Sequence, residues 1–306
     1  KPVWAKVKLD VEMNLYNCLS ADYCDGKLYY TEYGDIEQII EVDVLSGEKK
    51  AIPLKWPENF HLGTERLVGF EQLAVGADGC IYGVIRERTM KEFLCKFTPT
   101  GELAYFADVT KQIQTTKDRN WHSAWGLQVD GEGRAYLSYP YKLFLYNEKG
   151  EYEKCIDVNP EEAIGEPQII DMFSGRDGNM QLYYRGDSYR QVQVDYETGE
   201  LEYIQDLMAG DLFGYDVKDG FYVNTSETLY HYATDQPMLG RVPEKVLDWW
   251  DLLIYKDTVK LVAGPQEDCV FVVVGSTLED RSGAFLIKKM SKWEAKRGGY
   301  TYVEVR

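Results

Sequence analysis

The sequence predicts an all-β propeller of six or seven four-stranded antiparallel blades, and three observations carry that reading. An Asp-Gly pair is followed about twenty residues later by a Gly-Glu pair, four times in succession. The pairs are Asp25-Gly26 with Gly47-Glu48, Asp78-Gly79 with Gly101-Glu102, Asp130-Gly131 with Gly150-Glu151, and Asp177-Gly178 with Gly199-Glu200. Asp-Gly between apolar runs is a hairpin signal, because both residues tolerate the positive φ of a tight turn. Two hairpins per unit make a four-stranded sheet. The Asp-Gly sites and their degenerate successors, Asp219-Gly220 and Glu267-Asp268, lie 53, 52, 47, 42 and 48 residues apart, the size of one blade and its connection.

The second unit shows the four strands, A to D. Leu73-Ala-Val-Gly-Ala leads into the first turn, Ile81 to Ile85 and Phe93 to Phe97 follow, and Leu103 to Phe106 comes after Thr100-Gly101. The third unit repeats the order with Gly126 to Val129, Ala135 to Leu137, Lys142 to Tyr146 and Tyr152 to Val158. The fourth gives Gln168 to Met172, Met180 to Tyr184, Arg190 to Val194 and Leu201 to Ile204, with period-two alternation in Gln191-Val-Gln-Val. Phe221 to Val223 and Thr228 to Tyr232 mark a fifth unit; Val270 to Val274 and Ala284 to Ile287 mark a sixth. Lys1 to Val11 also reads as a strand, expected to pair with the last blade or to belong to a seventh. Tyr300 to Val305 reads as a final D strand, and Pro243 to Leu253 and Lys288 to Lys296 as short helical turns.

The repeat runs throughout, so residues 1–306 read as a single propeller domain. The net charge of −17, from 34 basic and 51 acidic residues, argues against a phosphate-backbone ligand and for an acidic surface. No run approaches the roughly 18–20 apolar residues that span a bilayer. The chain starts Lys1-Pro2-Val3, expected of a processed chain or a segment of a longer one. Most of the 24 tyrosines suit half-buried pleated surfaces. The six cysteines are Cys18, Cys24, Cys80, Cys95, Cys155 and Cys269, without a Cys-x-x-Cys; Cys80 and Cys95 fall on neighbouring strands, where a disulfide is conceivable.

The units resemble the NHL-type propeller blade: Ala124-Trp-Gly-Leu-Gln-Val-Asp-Gly-Glu-Gly-Arg-Ala-Tyr and Leu143-Phe-Leu-Tyr-Asn-Glu-Lys-Gly match its apolar strand, Asp-Gly turn and following strands. A narrower likeness covers Val246 to Val259. There Leu247, Trp249, Asp251 and Ile254 are similar to a segment near the end of N-terminal propeller domains in secreted solute-binding lipoproteins of monoderm bacteria. The resemblance implies a lipid-anchored, extracellular parent held at the outer face of the cytoplasmic membrane by an upstream Cys. In that family the propeller precedes a solute-binding domain that serves an ABC importer. No such domain lies within these 306 residues.

Propeller connectivity puts the A–B and C–D hairpins on one edge of each sheet, and the B–C and D-to-A connections on the other. The second edge receives the long, varied segments, where binding residues usually sit. Candidate ligand-binding residues there are Trp56, His61, Trp121, His122, Trp125, Tyr139, Tyr141, Arg185, Tyr189, Trp249, Trp250 and Asp251. Phe60, Arg66, Arg119, Tyr33, Asp35, Arg86, Arg88, Asp187 and Arg190 accompany them. Aromatic rings beside Asp and Arg suit a sugar or a peptide: the ring meets an apolar face while charged groups take hydroxyls or amides. The competing reading is structural, with Trp125 and Trp249 packing between blades and the arginines solvated.

No catalytic residues emerge. There is no Gly-x-Ser-x-Gly elbow, no phosphate-binding glycine loop, and no ligand-spaced pairing of His61, His122 and His231. Glu71, Asp171 and Asp216 fall on or beside A strands, and three carboxylates around a central channel are the one arrangement that would hold Ca²⁺; otherwise no cofactor is expected. The favoured function is a non-enzymatic, extracellular binding module for a carbohydrate, a peptide or a partner domain. The alternative is a propeller hydrolase or lactonase with a divalent cation. A third reading is a spacer that docks onto a downstream solute-binding domain.

Overall fold

The computed structural model describes residues 2–8, 21–31, 35–43, 46–58, 60, 67–87, 91–113, 126–158, 168–175, 177–186, 188–210, 212–215, 220–225, 227–233, 242–249, 259–263, 269–274 and 283–303. The fold is the expected all-β propeller of antiparallel blades, and of the two blade counts left open it has six. Its residues cluster in two compact units, one of 20–42 and 49–207, the other of 1–19, 43–48 and 208–306.

Strand β1 is Pro2–Lys8. The unit centred on residues 49–207 holds four sheets, each in sequential order. The first has β2 (Ala21–Cys24), β3 (Lys27–Tyr30), β4 (Gln38–Asp43) and β5 (Lys49–Pro53). The second has β6 (Leu67–Val75), β7 (Ile81–Glu87), β8 (Glu92–Phe97) and β9 (Leu103–Asp108), then a single helical turn, α1 (Thr110–Ile113). The third has β10 (Gly126–Val129), β11 (Ala135–Tyr139), β12 (Lys142–Tyr146) and β13 (Tyr152–Asp157). The fourth has β14 (Gln168–Ser174), β15 (Met180–Arg185), β16 (Tyr189–Val194) and β17 (Leu201–Leu207).

Burial follows position in the sheet. The second strands carry continuous apolar runs because both their faces are covered: Ile81 to Ile85 and Ala135 to Tyr139 are buried without a break. The outermost strand β13 is largely exposed and β17 mixes exposed with half-buried residues, and there the composition is more polar. Facing sheets interlock through Tyr82, Val84, Leu127, Leu137 and Phe144 between the second and third, and through Tyr136, Leu145, Met172, Leu182 and Val192 between the third and fourth. Each such side chain contributes about 1.5–3 kcal/mol by leaving water.

The turns explain the repeat. Gly26, Gly79 and Gly178 of the A–B turns, and Gly47, Gly101, Gly150 and Gly199 of the C–D turns, all have positive φ. The third A–B turn departs: Gly133, not Gly131, takes the left-handed conformation at φ 81°. Gly131 is needed for close approach instead, since its N–H donates to Gly178 O at 3.0 Å and a Cβ would sit 3.0 Å from Gly178 Cα.

The other unit holds two sheets. One is β18 (Leu212–Tyr215), β19 (Phe221–Asn224), β20 (Thr228–Tyr232) and β21 (Glu244–Asp248). The other contains β22 (Val259–Ala263), β23 (Cys269–Val274), β24 (Gly283–Ser291) and β25 (Thr301–Val303), in the order β22-β23-β24-β1-β25. The expected N-terminal pairing is present: β1 lies antiparallel to β24, from Pro2 opposite Ser291 to Lys8 opposite Phe285.

β1 takes the fourth-strand place assigned to Tyr300–Val305, and β25 adds outside it as a fifth strand. Of Pro243 to Leu253, read as a short helical turn, Glu244–Asp248 is strand β21, held by β20; Trp249 then takes a 3-10 conformation, and residues 250–253 lie outside the described residues. The second helix, α2 (Lys292–Gly298), does form, but one turn later than expected, because β24 continues to Ser291, which then closes a capping box with Glu294. Cys80 and Cys95 are both free thiols: Cys95 is buried opposite Gly83 and donates to its carbonyl at 3.3 Å, while Cys80 precedes β7.

Candidate functional site

The two ends of the sheets in residues 49–207 are chemically different. At the hairpin end, turn carboxylates are consumed by backbone donors. Asp78 Oδ1 accepts from Cys80 N at 3.0 Å, Asp177 Oδ1 from Asn179 N at 3.0 Å, and Asp195 Oδ1 from Glu197 N at 2.8 Å. Asp130 goes furthest, accepting from Glu132 N, Arg134 N, Arg134 Nε at 2.7 Å and the Tyr136 hydroxyl at 3.0 Å. The Arg134 guanidinium also lies 3.9 Å from the centroid of the Tyr196 ring, a cation–π contact that ties the third sheet to the fourth.

At the opposite end, side chains meet side chains. On the fourth sheet, register brings Gln168, Arg185, Tyr189 and Leu207 into one row across β14, β15, β16 and β17. Arg185 is exposed and donates through Nη2 to Gln168 Oε1 at 3.2 Å. Arg190 Nε donates to Ser188 Oγ at 3.1 Å, and Ser188 donates to Asp206 Oδ1 at 3.2 Å. The half-buried Tyr189 ring rests 5.8 Å from that of Tyr183. Beneath this row Gln191 Nε2 donates to Gln181 Oε1 and Gln205 Nε2 to Gln191 Oε1, each at 2.6 Å, fixing the strands under it.

The same end of the second sheet carries ionisable groups. Arg86 Nε meets Glu71 Oε1 at 2.8 Å, and the Tyr139 hydroxyl donates to Glu92 Oε2 at 2.7 Å. Burial raises the Glu71 carboxyl above its ordinary value, against the pull of Arg86. Burial, followed by the neighbouring Glu92, pushes the Tyr139 hydroxyl well above the usual tyrosine range, so it stays a donor.

The remaining sequence candidates are placed as follows. Arg86, Arg185, Tyr189 and Arg190, read as connection residues, lie within strands. Tyr139 also ends a strand, and it is 1% exposed. Tyr141 lies in the tight turn after it, and its carbonyl accepts from Val158 N at 2.9 Å. Trp56 is half-buried, donates to Ile36 O at 2.7 Å and packs against Phe60, Phe70, Phe97 and Phe106. Asp35 caps the approach to β4 through Glu37 N at 2.8 Å. In the other unit Trp249 is 2% exposed and donates to Asn224 Oδ1 at 2.7 Å.

His61, Trp121, His122, Trp125, Trp250, Asp251 and Asp216 lie outside the described residues, as do Tyr33, Arg66, Arg88, Arg119 and Asp187. Of the channel carboxylates, Glu71 is engaged by Arg86, and Asp171 Oδ1 accepts from Met172 N at 2.8 Å. Among the described residues no group of three His, Cys, Asp or Glu side chains is placed to hold a metal ion. Sequence reasoning missed Glu92 altogether. Its signal was a lone Glu at the head of an otherwise apolar strand, Glu92-Phe-Leu-Cys.

No protein-family model matches the chain, and no curated protein matches it. Solved structures do. The major Malassezia sympodialis allergen Mala s 1 is similar at 9% identity and TM-score 0.59, over 95% of this chain and 96% of that one. An oligogalacturonate lyase from Vibrio parahaemolyticus is similar at 14% identity and TM-score 0.55, over 86% and 74%. A protein of unknown function from Bacteroides thetaiotaomicron follows at 10% identity and TM-score 0.54, over 95% and 77%. At such identities the likeness establishes a shared propeller fold, and function has to be argued from the site.

Proposed function

We propose that this chain is a non-enzymatic binding propeller whose working surface is the long-connection end of its sheets, with a carbohydrate as the first ligand class. The observation that carries the reading is the row of Gln168, Arg185 and Tyr189 on the fourth sheet, with Arg190 next to it in the strand. It combines an exposed guanidinium, an amide and a half-buried ring over the glutamine ladder, while Ser188 and Asp206 order the adjacent Arg190. Groups ordered before the ligand arrives lose less freedom on binding. At the hairpin end, Asp78, Asp130, Asp177 and Asp195 are spent on turn backbone. A peptide or a fused or adjacent solute-binding domain would meet the same groups. The lipoprotein-like segment at Leu247, Trp249, Asp251 and Ile254 supports an extracellular, lipid-anchored setting in solute uptake.

The test is isothermal calorimetry of the protein against neutral and acidic oligosaccharides, short peptides and divalent ions, with Arg185→Ala and Tyr189→Ala beside wild type. Saturable binding to one ligand class, weakened at least about tenfold by either substitution, is expected; about 1.4 kcal/mol corresponds to that factor. Turnover of a sugar or lactone, or binding indifferent to both substitutions, overturns the reading.

A further inference from the structure

The sheet that contains β24 ends in a locally basic stretch of an acidic chain. Lys288 to Arg297 holds five basic residues and one acidic, where the whole chain has a net charge of −17. Within it β24 gives way to α2 at the Ser291 cap. Ser291 N and Oγ donate to Glu294 Oε2 at 2.9 and 2.7 Å, and Glu294 N donates back to Ser291 Oγ at 3.2 Å. These bonds from Ser291, and then the charge of Lys288, hold the Glu294 carboxyl below its ordinary value. The acidic side chain of the stretch is therefore occupied in starting the helix. Gly299 closes the other end in the left-handed conformation at φ 68°.

α2 packs on its sheet through Ala295, which clusters with Val3 and Ala5 of β1 beside Met290, Tyr300 and Tyr302. With Ala295 turned inward, the helical repeat carries Trp293 and Arg297 to the side furthest from it, with Lys292 and Lys296 next to them. Trp293 is 65% exposed. Lys296 and Arg297 are exposed too, and Lys292 is half-buried. The Arg297 guanidinium lies 5.1 Å from the centroid of the Trp293 ring. Lys288 stands opposite Ala5 in the β1–β24 pair, and residues directly opposite share a face, so Lys288 is on the side where α2 packs. Lys289 faces the other way, where its Nζ meets Glu244 Oε2 at 2.8 Å.

We propose that Lys288, Lys292, Lys296 and Arg297, set around the Trp293 ring, dock the propeller onto an anionic lipid surface. A lone exposed ring is ordinary on a protein surface. A ring among four cations on a short helix has the composition of a membrane-interface contact: the indole sits at headgroup depth, and the cations meet lipid phosphate. Charge complementarity selects this occupant. The acidic remainder of the chain repels an anionic surface, which turns the basic stretch towards it. Shape agrees, because a ring that stands mostly in water suits a flat, deformable surface, whereas a protein partner buries its aromatic anchor in a packed pocket. One ring and four cations give a reversible, salt-sensitive attachment. The patch lies on a different sheet from the row of Gln168, Arg185 and Tyr189, so it does not rest on carbohydrate binding.

The experiment is flotation of the protein with vesicles of phosphatidylglycerol and phosphatidylcholine in equal parts, and with vesicles of phosphatidylcholine alone. Each is run at low salt and at about 1 M salt, where the screening length falls to about 3 Å. The variants are Trp293→Ala and the pair Lys296→Glu/Arg297→Glu. A second pair, Lys111→Glu/Lys149→Glu, makes the same change of net charge on exposed side chains elsewhere, and circular dichroism verifies that each variant is folded. Wild type is expected to float with the phosphatidylglycerol vesicles at low salt and to be released at high salt. Charge reversal at Lys296 and Arg297 weakens the association by at least about tenfold, Trp293→Ala weakens it less, and the second pair keeps it. No association of wild type, equal association with both kinds of vesicle, unchanged association in either patch variant, or an equal loss in the second pair overturns the proposal. Binding of poly-L-glutamate without association to vesicles assigns the patch to an acidic polypeptide and overturns it as well.

Discussion

At the hairpin end of the sheets in residues 49–207, polar groups are satisfied by the backbone within a few residues. At the long-connection end they are satisfied by side chains from other strands and other sheets. Asp177 bonds to Asn179, two positions on, whereas Glu92 is met by Tyr139, 47 positions away. Both ends belong to the same strands and share the same core. The difference shows how a repeat fold separates its tasks. Turn chemistry repeated in each unit sets register and joins neighbouring sheets, as where Lys55 N donates to Gly101 O at 2.9 Å. The opposite end, released from that work, varies from sheet to sheet.

The sharpest way to break the comparison is to damage the hairpin end. Gly101 has φ 87°, and a Cβ there would sit 1.9 Å from Pro53 O. Gly101→Val should therefore destabilise by about 4 kcal/mol, adding left-handed strain to overlap with fixed backbone. Denaturant unfolding checks it, and a loss below about 1 kcal/mol would mean the turn can move aside. Asp130→Ala comes next, at about 3 kcal/mol, because it strands the Tyr136 hydroxyl and the half-buried Arg134. Arg134→Ala combined with it in a double-mutant cycle should be strongly non-additive.

Asp177→Ala removes a turn cap that is solvent-exposed, so about 1 kcal/mol is expected in the same assay. Arg185→Ala gives the smallest effect on stability, within about 0.5 kcal/mol, because the side chain is exposed and bonds to a neutral amide. That contrast is the useful one: the turn residues matter for stability, the Arg185 row for ligand. A large stability loss in Arg185→Ala would place it among structural residues.

The fold was legible because its signal is local. Asp25-Gly26, Thr100-Gly101 and Lys149-Gly150 each mark a turn through the conformations that their own residues allow, and the apolar runs between them have strand length. β10, β12 and β20 coincide with the runs read from sequence. Legibility failed where distant residues decide. Tyr300 to Val303 has a strand composition, but nothing in it tells that β1 has already occupied the fourth place. Trp249 shares the lipoprotein-like pattern and an aromatic loop context, yet its indole is turned inward by Asn224, 25 residues back. Glu71 is a strand residue by pattern, and the register shift that frees it from pairing has no sequence mark. Glu92, which Tyr139 meets, could be found only as a charged residue at the mouth of a buried strand. Of the candidate site, the row around Arg185 and Tyr189 was visible as aromatic and charged residues flanking a B–C turn, but its place within the strands was not.

The measurement that tests the division of labour most directly is calorimetric titration of an oligosaccharide panel into wild type, an Arg185→Ala/Tyr189→Ala double variant and Asp177→Ala. The account predicts binding that the double variant loses by about tenfold or more while Asp177→Ala, at the opposite end, binds as wild type does. Equal affinity in the double variant and wild type, or a loss confined to Asp177→Ala, would contradict it.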